Sequence, residues 1–141
     1  MNTKRKIHIL LIDDDEDFRR LFGTKLAQHE YEVLYGTNAE SGREMARNYQ
    51  PDLILLDVRM PGEDGFTIAR AMRQEAETKD IPIVFLTNED FSLEAKKWVE
   101  ELYVEDVIHK SIDLNEFVER VDAILARLGK LGKKEPPQFI T

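Results

Sequence analysis

Short apolar runs alternate with amphipathic segments along this chain. The apolar runs are nearly continuous rather than alternating with polar residues, and this pattern is typical of strands that are covered on both faces of a parallel sheet. Between them lie segments in which apolar residues recur every three or four positions, the spacing of one helix face. The runs that we predict to be buried strands are residues 7–12, 32–35, 53–56, 83–86 and 107–108.

The predicted helices differ in the strength of their apolar stripe, which is clearest in the last one and weaker in the second. Strand–helix units repeated in this way predict an α/β domain with right-handed crossovers between parallel strands. The residues that we predict to face the core are Phe18, Leu21, Phe22 and Leu26; Ala39, Gly42, Met45, Ala46 and Tyr49; Phe66, Ala69 and Met72; Ala95, Trp98, Val99 and Leu102; and Leu114, Phe117, Val118, Val121, Ile124, Leu125 and Leu128.

The chain is long enough for one domain with a sizeable core, since it has 141 residues of which 42% are hydrophobic. The apolar pattern ends at Leu128, and the glycines, lysines and prolines that follow are typical of a fraying helix end and a flexible terminus or linker. We therefore predict a domain over residues 1–128 and a C-terminal tail or linker over residues 129–141.

Composition and charge argue against several classes of protein. A net charge of −8 disfavours direct nucleic-acid binding, which needs a basic face. The absence of cysteine excludes a disulfide framework and a thiolate metal site. The N-terminal apolar run is short and ends in acidic residues, unlike a signal peptide, and no stretch approaches the ~20 apolar residues of a membrane span. We expect a cytoplasmic protein that binds neither nucleic acid nor membrane.

Residues with carboxylate, hydroxyl or ammonium side chains follow four of the predicted strands. Asp13 and Asp14 follow the first strand, Asp57 the third, Thr87 the fourth and Lys110 the fifth. In a parallel sheet of order 2-1-3-4-5, these strand ends meet at the edge where ligands of open α/β sheets bind. Two carboxylates ~5 Å apart repel by roughly 3 kcal/mol at an effective dielectric constant of ~20. A hard divalent cation such as Mg²⁺ relieves that repulsion.

Each of these residues also has an ordinary structural explanation when it is taken singly. An acidic run after a strand is often a solvated turn or a helix N-cap, and Asp15 or Glu16 suits the start of the first helix. A lone Asp or Thr after a strand and a single surface Lys are equally common. The order, strand-end position and spacing of the five residues, rather than any one of them, predict a site.

Four segments in this order resemble the receiver domain of two-component response regulators, the CheY-like family. They are LLIDDDED, DLILLDVRMPGEDGF, IPIVFLT and HKS, and the resemblance extends from Lys6 to Leu128. It implies a flavodoxin-like, doubly wound (βα)5 fold with a five-stranded parallel sheet of order 2-1-3-4-5. The residue roles that it implies are Asp57 as the phosphoacceptor; Asp13, Asp14, Asp57 and the main-chain carbonyl of Arg59 as Mg²⁺ ligands; Thr87 as the switch hydroxyl; and Lys110 as a contact to the phosphoryl group.

The resemblance also implies a signalling function. Asp57 would take a phosphoryl group from a histidine kinase or a histidine phosphotransfer protein, with self-catalysed phosphotransfer and autodephosphorylation as its only chemistry rather than enzyme turnover. The product would shift the face formed by the fourth helix, fifth strand and fifth helix, which would bind a downstream protein or a second phosphorylated copy of the chain.

This sequence departs from the family pattern near the fifth strand. Val107 stands where the family usually has Tyr or Phe, so the mobile aromatic of the family is missing at its usual place. Tyr103 is a candidate substitute, and the alternative is that Trp98 belongs to the core while Tyr103 only leads into the strand. Ser111 replaces the proline that commonly follows Lys110, which leaves the geometry of that loop open.

Two charged residues have positions that suit control of the phosphoryl lifetime. Arg59 lies two residues after Asp57, and Glu89 two after Thr87, where the family has the residues flanking the path of the hydrolytic water. An ion pair there would form a lid, whereas two solvated charges would contribute little. Asn88 is larger than the residue usual beside Thr87 and would narrow access. We expect only structural or surface roles for the three histidines, His8, His29 and His109.

Three rival functions remain to be weighed. The chain suits a receiver fragment of a longer regulator whose effector follows the C-terminal segment. A phosphatase of the haloacid-dehalogenase type also uses a strand-end Asp with Mg²⁺, but it needs a second Asp two residues later, where this chain has Arg59. An inactive receiver used only for docking would not need the full set of Asp13, Asp14, Asp57, Thr87 and Lys110.

Overall fold

A computed structural model describes residues 6–90 and 92–131, in which strands and helices alternate. None of the helices in these two ranges has both the length and the apolar composition needed to cross a bilayer. The elements in chain order are β1 (His8–Ile12), α1 (Glu16–Gln28), β2 (Glu32–Gly36), α2 (Ala39–Tyr49), β3 (Leu53–Asp57), α3 (Gly65–Gln74), β4 (Ile83–Thr87), α4 (Ser92–Glu101), β5 (Asp106–His109) and α5 (Leu114–Arg127).

The strands form one parallel sheet in the order β2-β1-β3-β4-β5, as predicted. The chain reverses its direction of winding between β1 and β3, so the carboxyl ends of these two strands flank a crevice. All five predicted strands are confirmed, but full burial of the second is wrong. Tyr35 on β2 is 40% exposed, because β2 is an edge strand with only one neighbour and incomplete helix cover.

Each face of the sheet packs against its own helices. One hydrophobic cluster joins β1, β3 and β4 to α1 and α5, and the other joins the opposite strand faces to α2, α3 and the residues after α4. Three residues that we predicted to face the core are instead exposed, because they lie at the flanks of helix stripes that cover only part of the helix circumference. They are Leu21 at 54%, Tyr49 at 59% and Val99 at 39% exposure.

Local hydrogen bonds define the helix ends. Asp15 is the N-cap of α1, and its side chain accepts the N–H groups of Asp17 and Phe18. At the other end of the domain, Gly129 has a φ of +77°, and the N–H of Lys130 donates to the Leu125 carbonyl at 2.8 Å, as in a Schellman cap. Leu131 packs against the core. The predicted tail therefore begins among the described residues, and its part from 132 to 141 lies outside them.

Candidate functional site

Three aspartates meet at the carboxyl edge of the sheet. The carboxylates of Asp13, Asp14 and Asp57 each offer an oxygen within 4.8 Å of the others. Asp13 and Asp57 are buried, whereas Asp14 is exposed. Two hydrogen bonds fix Asp13. Its main-chain N–H donates to the Gly36 carbonyl at 3.0 Å, and its Oδ1 accepts the Asp15 N–H at 2.9 Å. The end of β1 and the cap of α1 thus hold one buried carboxylate in a defined orientation.

Among the described residues, Lys110 supplies the only ammonium group in contact with these aspartates. Its Nζ lies 2.8 Å from Asp13 Oδ2 and 3.7 Å from Asp57 Oδ2, and its side chain is only 6% exposed. The main chain of Lys110 is tied to β4, because its N–H donates to the Thr87 carbonyl at 2.7 Å. Apart from this ion pair, the buried Asp13 Oδ2 has no hydrogen-bond partner among the described residues.

The site holds more negative charge than Lys110 neutralises. Burial and the nearby Asp13 carboxylate raise the pKa of Asp57 to about 7, although Lys110 and the Arg59 N–H oppose this shift. A buried carboxylate oxygen without a full set of hydrogen bonds, next to two further carboxylates, is a donor set of the hard type that Mg²⁺ prefers. The aspartate cluster therefore fits a hard divalent cation.

Thr87 and the loop after it complete the edge. Thr87 is buried at the end of β4, one residue beyond the Leu86 position that pairs with Asp57. Its Oγ1 accepts the N–H of Glu89 at 2.9 Å. The side chain of Glu89 in turn pairs with Arg59, and the N–H of Arg59 donates to Asp57 Oδ1 at 3.2 Å. The loops after β3 and β4 are thus linked to each other and to the two strand-end residues.

The aromatic residues near β5 are divided between core and surface. Trp98 packs against Phe66 and Phe85, with ring centroids 4.4 and 5.8 Å away, so it contributes to the core under α4. Tyr103 is 70% exposed with a φ of +55°. Val107 pairs with Phe85 across the sheet and packs against the same cluster. The core position predicted for Trp98 is therefore confirmed.

Ser111 and His109 contact each other in the loop that carries Lys110. His109 Nδ1 accepts the Ser111 N–H at 3.1 Å and lies 2.8 Å from Ser111 Oγ. The Ile112 N–H donates to the His109 carbonyl at 3.1 Å. The described residues contain no cis peptide bond, so the bond after Lys110 is trans. These contacts define the loop geometry that the sequence left open.

Two residues of α1 that reach the site were not predicted from the sequence. The Phe18 ring lies under the Lys110 ammonium, with 4.6 Å between Nζ and the ring centroid. Arg19 Nη1 donates to the Asp13 carbonyl at 2.8 Å. Phe18 belongs to the apolar stripe of α1, and that pattern concealed its second contact. The one available signal was its place in the first turn of a helix that begins beside the acidic run.

The comparisons with known proteins agree with this geometry. The family model for the response regulator receiver domain matches residues 9–122. The chain belongs to this family. The five-stranded order of the sheet in this receiver domain is that of the CheY-like fold.

Relatives of this receiver domain include short and long proteins. It is 31% identical to Protein PilH of Pseudomonas aeruginosa over 118 residues, 84% of this chain and 97% of PilH. It is 34% identical to the phosphate regulon transcriptional regulatory protein PhoB of the same species over 132 residues, 92% of this chain but 56% of PhoB. The chain therefore spans nearly all of PilH and little more than half of PhoB.

Solved structures show the same architecture. A putative response regulator from Chloroflexus aurantiacus is 33% identical, with a TM-score of 0.77 over 87% of this chain and 100% of that one. The chemotaxis response regulator CheY4 of Vibrio cholerae is 25% identical, with a TM-score of 0.78 over 86% of this chain and 100% of that one. The receiver fold of this chain is thus shared with proteins of limited sequence identity.

Proposed function

We propose that Asp57 accepts a phosphoryl group from a phosphohistidine on a sensor histidine kinase or a histidine phosphotransfer protein. The observation that carries this proposal is the convergence of Asp57, the ammonium of Lys110 and the Thr87 hydroxyl at one sheet edge, beside two more carboxylates. In such a step, a carboxylate oxygen of Asp57 attacks phosphorus, a P–O bond forms, and the P–N bond to the imidazole breaks. The electron pair remains on the imidazole nitrogen, which takes up a proton.

The residues around Asp57 have distinct roles in this proposal. Lys110 supplies a buried positive charge to the phosphoryl oxygens, which carry the charge of the transition state. The aspartates Asp13, Asp14 and Asp57, with the main-chain carbonyl of Arg59, would hold Mg²⁺. When bound, the ion would neutralise carboxylate and phosphoryl charge at the site. Because unphosphorylated Asp57 is only 4% exposed, bulk water would have limited access to an acyl phosphate there, which would slow its hydrolysis.

Phosphorylation would change the partner of the Thr87 hydroxyl. In the structure Thr87 Oγ1 accepts the Glu89 N–H at 2.9 Å and donates to the Glu89 carbonyl at 3.4 Å, a long hydrogen bond that a phosphoryl oxygen on Asp57 would replace. A hydrogen bond to that oxygen would draw the β4–α4 loop inward and bias an equilibrium between two conformations. The affected surface is the α4–β5–α5 face, where Arg120 pairs with Asp106 at 2.9 Å and Arg127 with Glu105 at 3.2 Å. We propose that this face binds a downstream protein or a second phosphorylated copy in the cytoplasm.

The lifetime of the phosphorylated form would depend on Arg59, Asn88 and Glu89. Arg59 and Glu89 form an ion pair between the two loops, and Asn88 is exposed between Thr87 and Glu89. A water molecule that attacks phosphorus in line needs a route between these loops. The ion pair would act as a lid that has to open before hydrolysis.

Phosphorylation of the full chain by a small acyl-phosphate donor with Mg²⁺ tests the proposal. We expect wild-type protein to gain one phosphoryl group, located at Asp57 by reduction of the acyl phosphate and mass spectrometry, and Asp57→Asn to gain none. Asp52→Asn is a matched control, because Asp52 is a buried aspartate at the opposite end of β3, where it accepts the His8 N–H at 2.8 Å. Undiminished labelling of Asp57→Asn would overturn the proposal.

A further inference from the structure

The ammonium of Lys110 is held between carboxylates and an aromatic ring. Asp13 Oδ2 is 2.8 Å from Nζ and Asp57 Oδ2 is 3.7 Å from it, while the Phe18 ring centroid is 4.6 Å away. Phe18 is 7% exposed and the Lys110 side chain 6% exposed, so little water reaches this contact. A cation over an aromatic face in such a setting is attracted by the ring quadrupole more strongly than at an exposed surface.

The Phe18 ring has little freedom to move away from the ammonium. The main-chain N–H of Phe18 donates to Oδ1 of the N-cap residue Asp15 at 3.2 Å, and this bond fixes the backbone of the first turn. Its ring is stacked on Phe22 with centroids 4.1 Å apart, and Phe22 packs edge-on against Phe117 of α5 at 4.9 Å. The stacked Phe22 ring thus limits the movement of the Phe18 ring on which Lys110 lies.

The lysine side chain itself is flexible, because four methylene groups separate its ammonium from the main chain. An aliphatic residue at position 18 would fill the same space but would not attract the charge. We propose that Phe18 is a positioning residue for Lys110. The face of the Phe18 ring holds the Lys110 ammonium beside Asp57 for phosphoryl transfer. This inference rests on the proposed function of Asp57, and it assigns to Phe18 a role beyond its place in the core.

A series of fluorinated phenylalanines at position 18 separates this role from simple packing. Fluorine withdraws electron density from the ring face and weakens its attraction for a cation, while the ring keeps nearly the same shape. We expect the rate of phosphorylation of the full chain by an acyl-phosphate donor with Mg²⁺ to fall with each added fluorine. The trifluorinated ring should lower the rate roughly three- to tenfold. The same series at Phe117, which is buried in the same cluster two rings away from the ammonium, should leave the rate unchanged.

A second measurement does not depend on phosphorylation. A ring under the ammonium shields the adjacent methylene protons, so the Lys110 Hε resonances should lie upfield of those of other lysines, as assigned by their loss in Lys110→Arg. They should return to ordinary values in Phe18→Leu, with the melting temperature of each variant confirming a folded protein.

The two measurements separate the possible failures. Unshifted Lys110 Hε resonances in the wild type, an equal rate across the Phe18 series, or an equal decline across the Phe117 series would each overturn the role of Phe18. Absence of labelling at Asp57 in the wild type would overturn the proposed function instead, and the resonances would still report whether the ring holds the ammonium.

Discussion

Arg59 Nε and Glu89 Oε1 lie 2.6 Å apart and join the loop after β3 to the loop after β4. Each of these residues is also bound through its main-chain N–H to a residue of the site, Arg59 to Asp57 and Glu89 to Thr87. Both side chains are about half exposed or more, at 61% and 48%, so salt screens their attraction. The two charges therefore form the ion pair that a lid would need, and their effect on the phosphoryl lifetime stays a prediction.

The lid hypothesis predicts a longer lifetime for the phosphorylated wild type than for variants without the pair. Arg59→Ala and Glu89→Ala should each speed dephosphorylation by up to several-fold, because without the ion pair the two loops need not separate before water attacks the phosphorus. The double variant should be no faster than the faster single one, since either change alone breaks the pair. Decay of the phosphorylated form in excess Mg²⁺, at low and high salt, provides the measurement.

The charge-exchanged variant Arg59→Glu/Glu89→Arg is the control for this prediction, since it restores an ion pair with the charges reversed. Its decay should be slower than that of either alanine variant. Wild-type decay in both single variants would mean that the two charges are merely solvated. Effects that multiply in the double variant would mean that each residue acts alone.

Mg²⁺ should stabilise the folded protein, because the aspartate cluster exists only in the folded state. At tenfold excess over the dissociation constant the gain is about 1.4 kcal/mol, which corresponds to a rise of roughly 3–8 °C in melting temperature. Asp14→Ala should abolish the rise, while Asp17→Asn, an exposed acid of the same run outside the cluster, should keep it. An equal rise in Asp14→Ala would locate the metal elsewhere.

The raised pKa of Asp57 predicts how stability depends on pH in the metal-free protein. Between about pH 4 and pH 7 the folded state keeps a proton on Asp57 that the unfolded chain has released, since burial and then Asp13 raise the folded pKa to about 7. The free energy of unfolding should therefore fall as pH rises through this range, by on the order of a few kcal/mol, and level off above it.

Urea unfolding with a chelator at pH 5, 6, 7 and 8 measures this dependence. Other groups titrate in the same range, so the relevant quantity is the difference between wild type and Asp57→Asn. Asp57→Asn removes the titrating group and should be relatively more stable at pH 8 than at pH 5. A difference that stays constant with pH would contradict the raised pKa.

A buried tyrosine connects the start of β2 to α5. The Tyr31 hydroxyl donates to Asp122 Oδ1, and His29 Nε2 lies 2.9 Å from Oδ2 of the same carboxylate. Burial and then Asp122 raise the pKa of Tyr31 above its ordinary value, so the hydroxyl remains a donor throughout the neutral range. Tyr31→Phe should lower the free energy of unfolding by about 1.5–3 kcal/mol, because a hydrogen bond to a charged group is lost.

His29→Gln is the comparison variant, because His29 is half exposed and water can replace its contact with Asp122. His29→Gln should lower the free energy of unfolding by less than Tyr31→Phe does, because Tyr31 is buried, with 4% exposure. Chemical denaturation of both variants gives the two values. A larger loss in His29→Gln would show that the histidine, rather than the tyrosine, carries the connection between these elements.

The order of elements and the five strand-end residues could be predicted from the sequence alone. Buried parallel strands require continuous apolar runs, and their helices require a stripe at a spacing of three to four, so both leave a local pattern. Because all carboxyl ends of a parallel sheet lie at one edge, the residues that follow the strands meet there whatever the details of packing. This is why Asp13, Asp57 and Lys110 could be assigned to one site before their distances were known.

Other features were decided only by the tertiary structure, because they depend on side-chain conformations and on contacts between elements far apart in sequence. The exposure of Leu21 follows from how far α1 is rotated against the sheet, which an apolar stripe fixes only within the width of its flanks. The Phe18 ring meets Lys110 only when α1 packs beside α5 on the same face of the sheet. The contact between Arg59 and Glu89 likewise depends on two loops closing over neighbouring strands, and no local pattern records that distance.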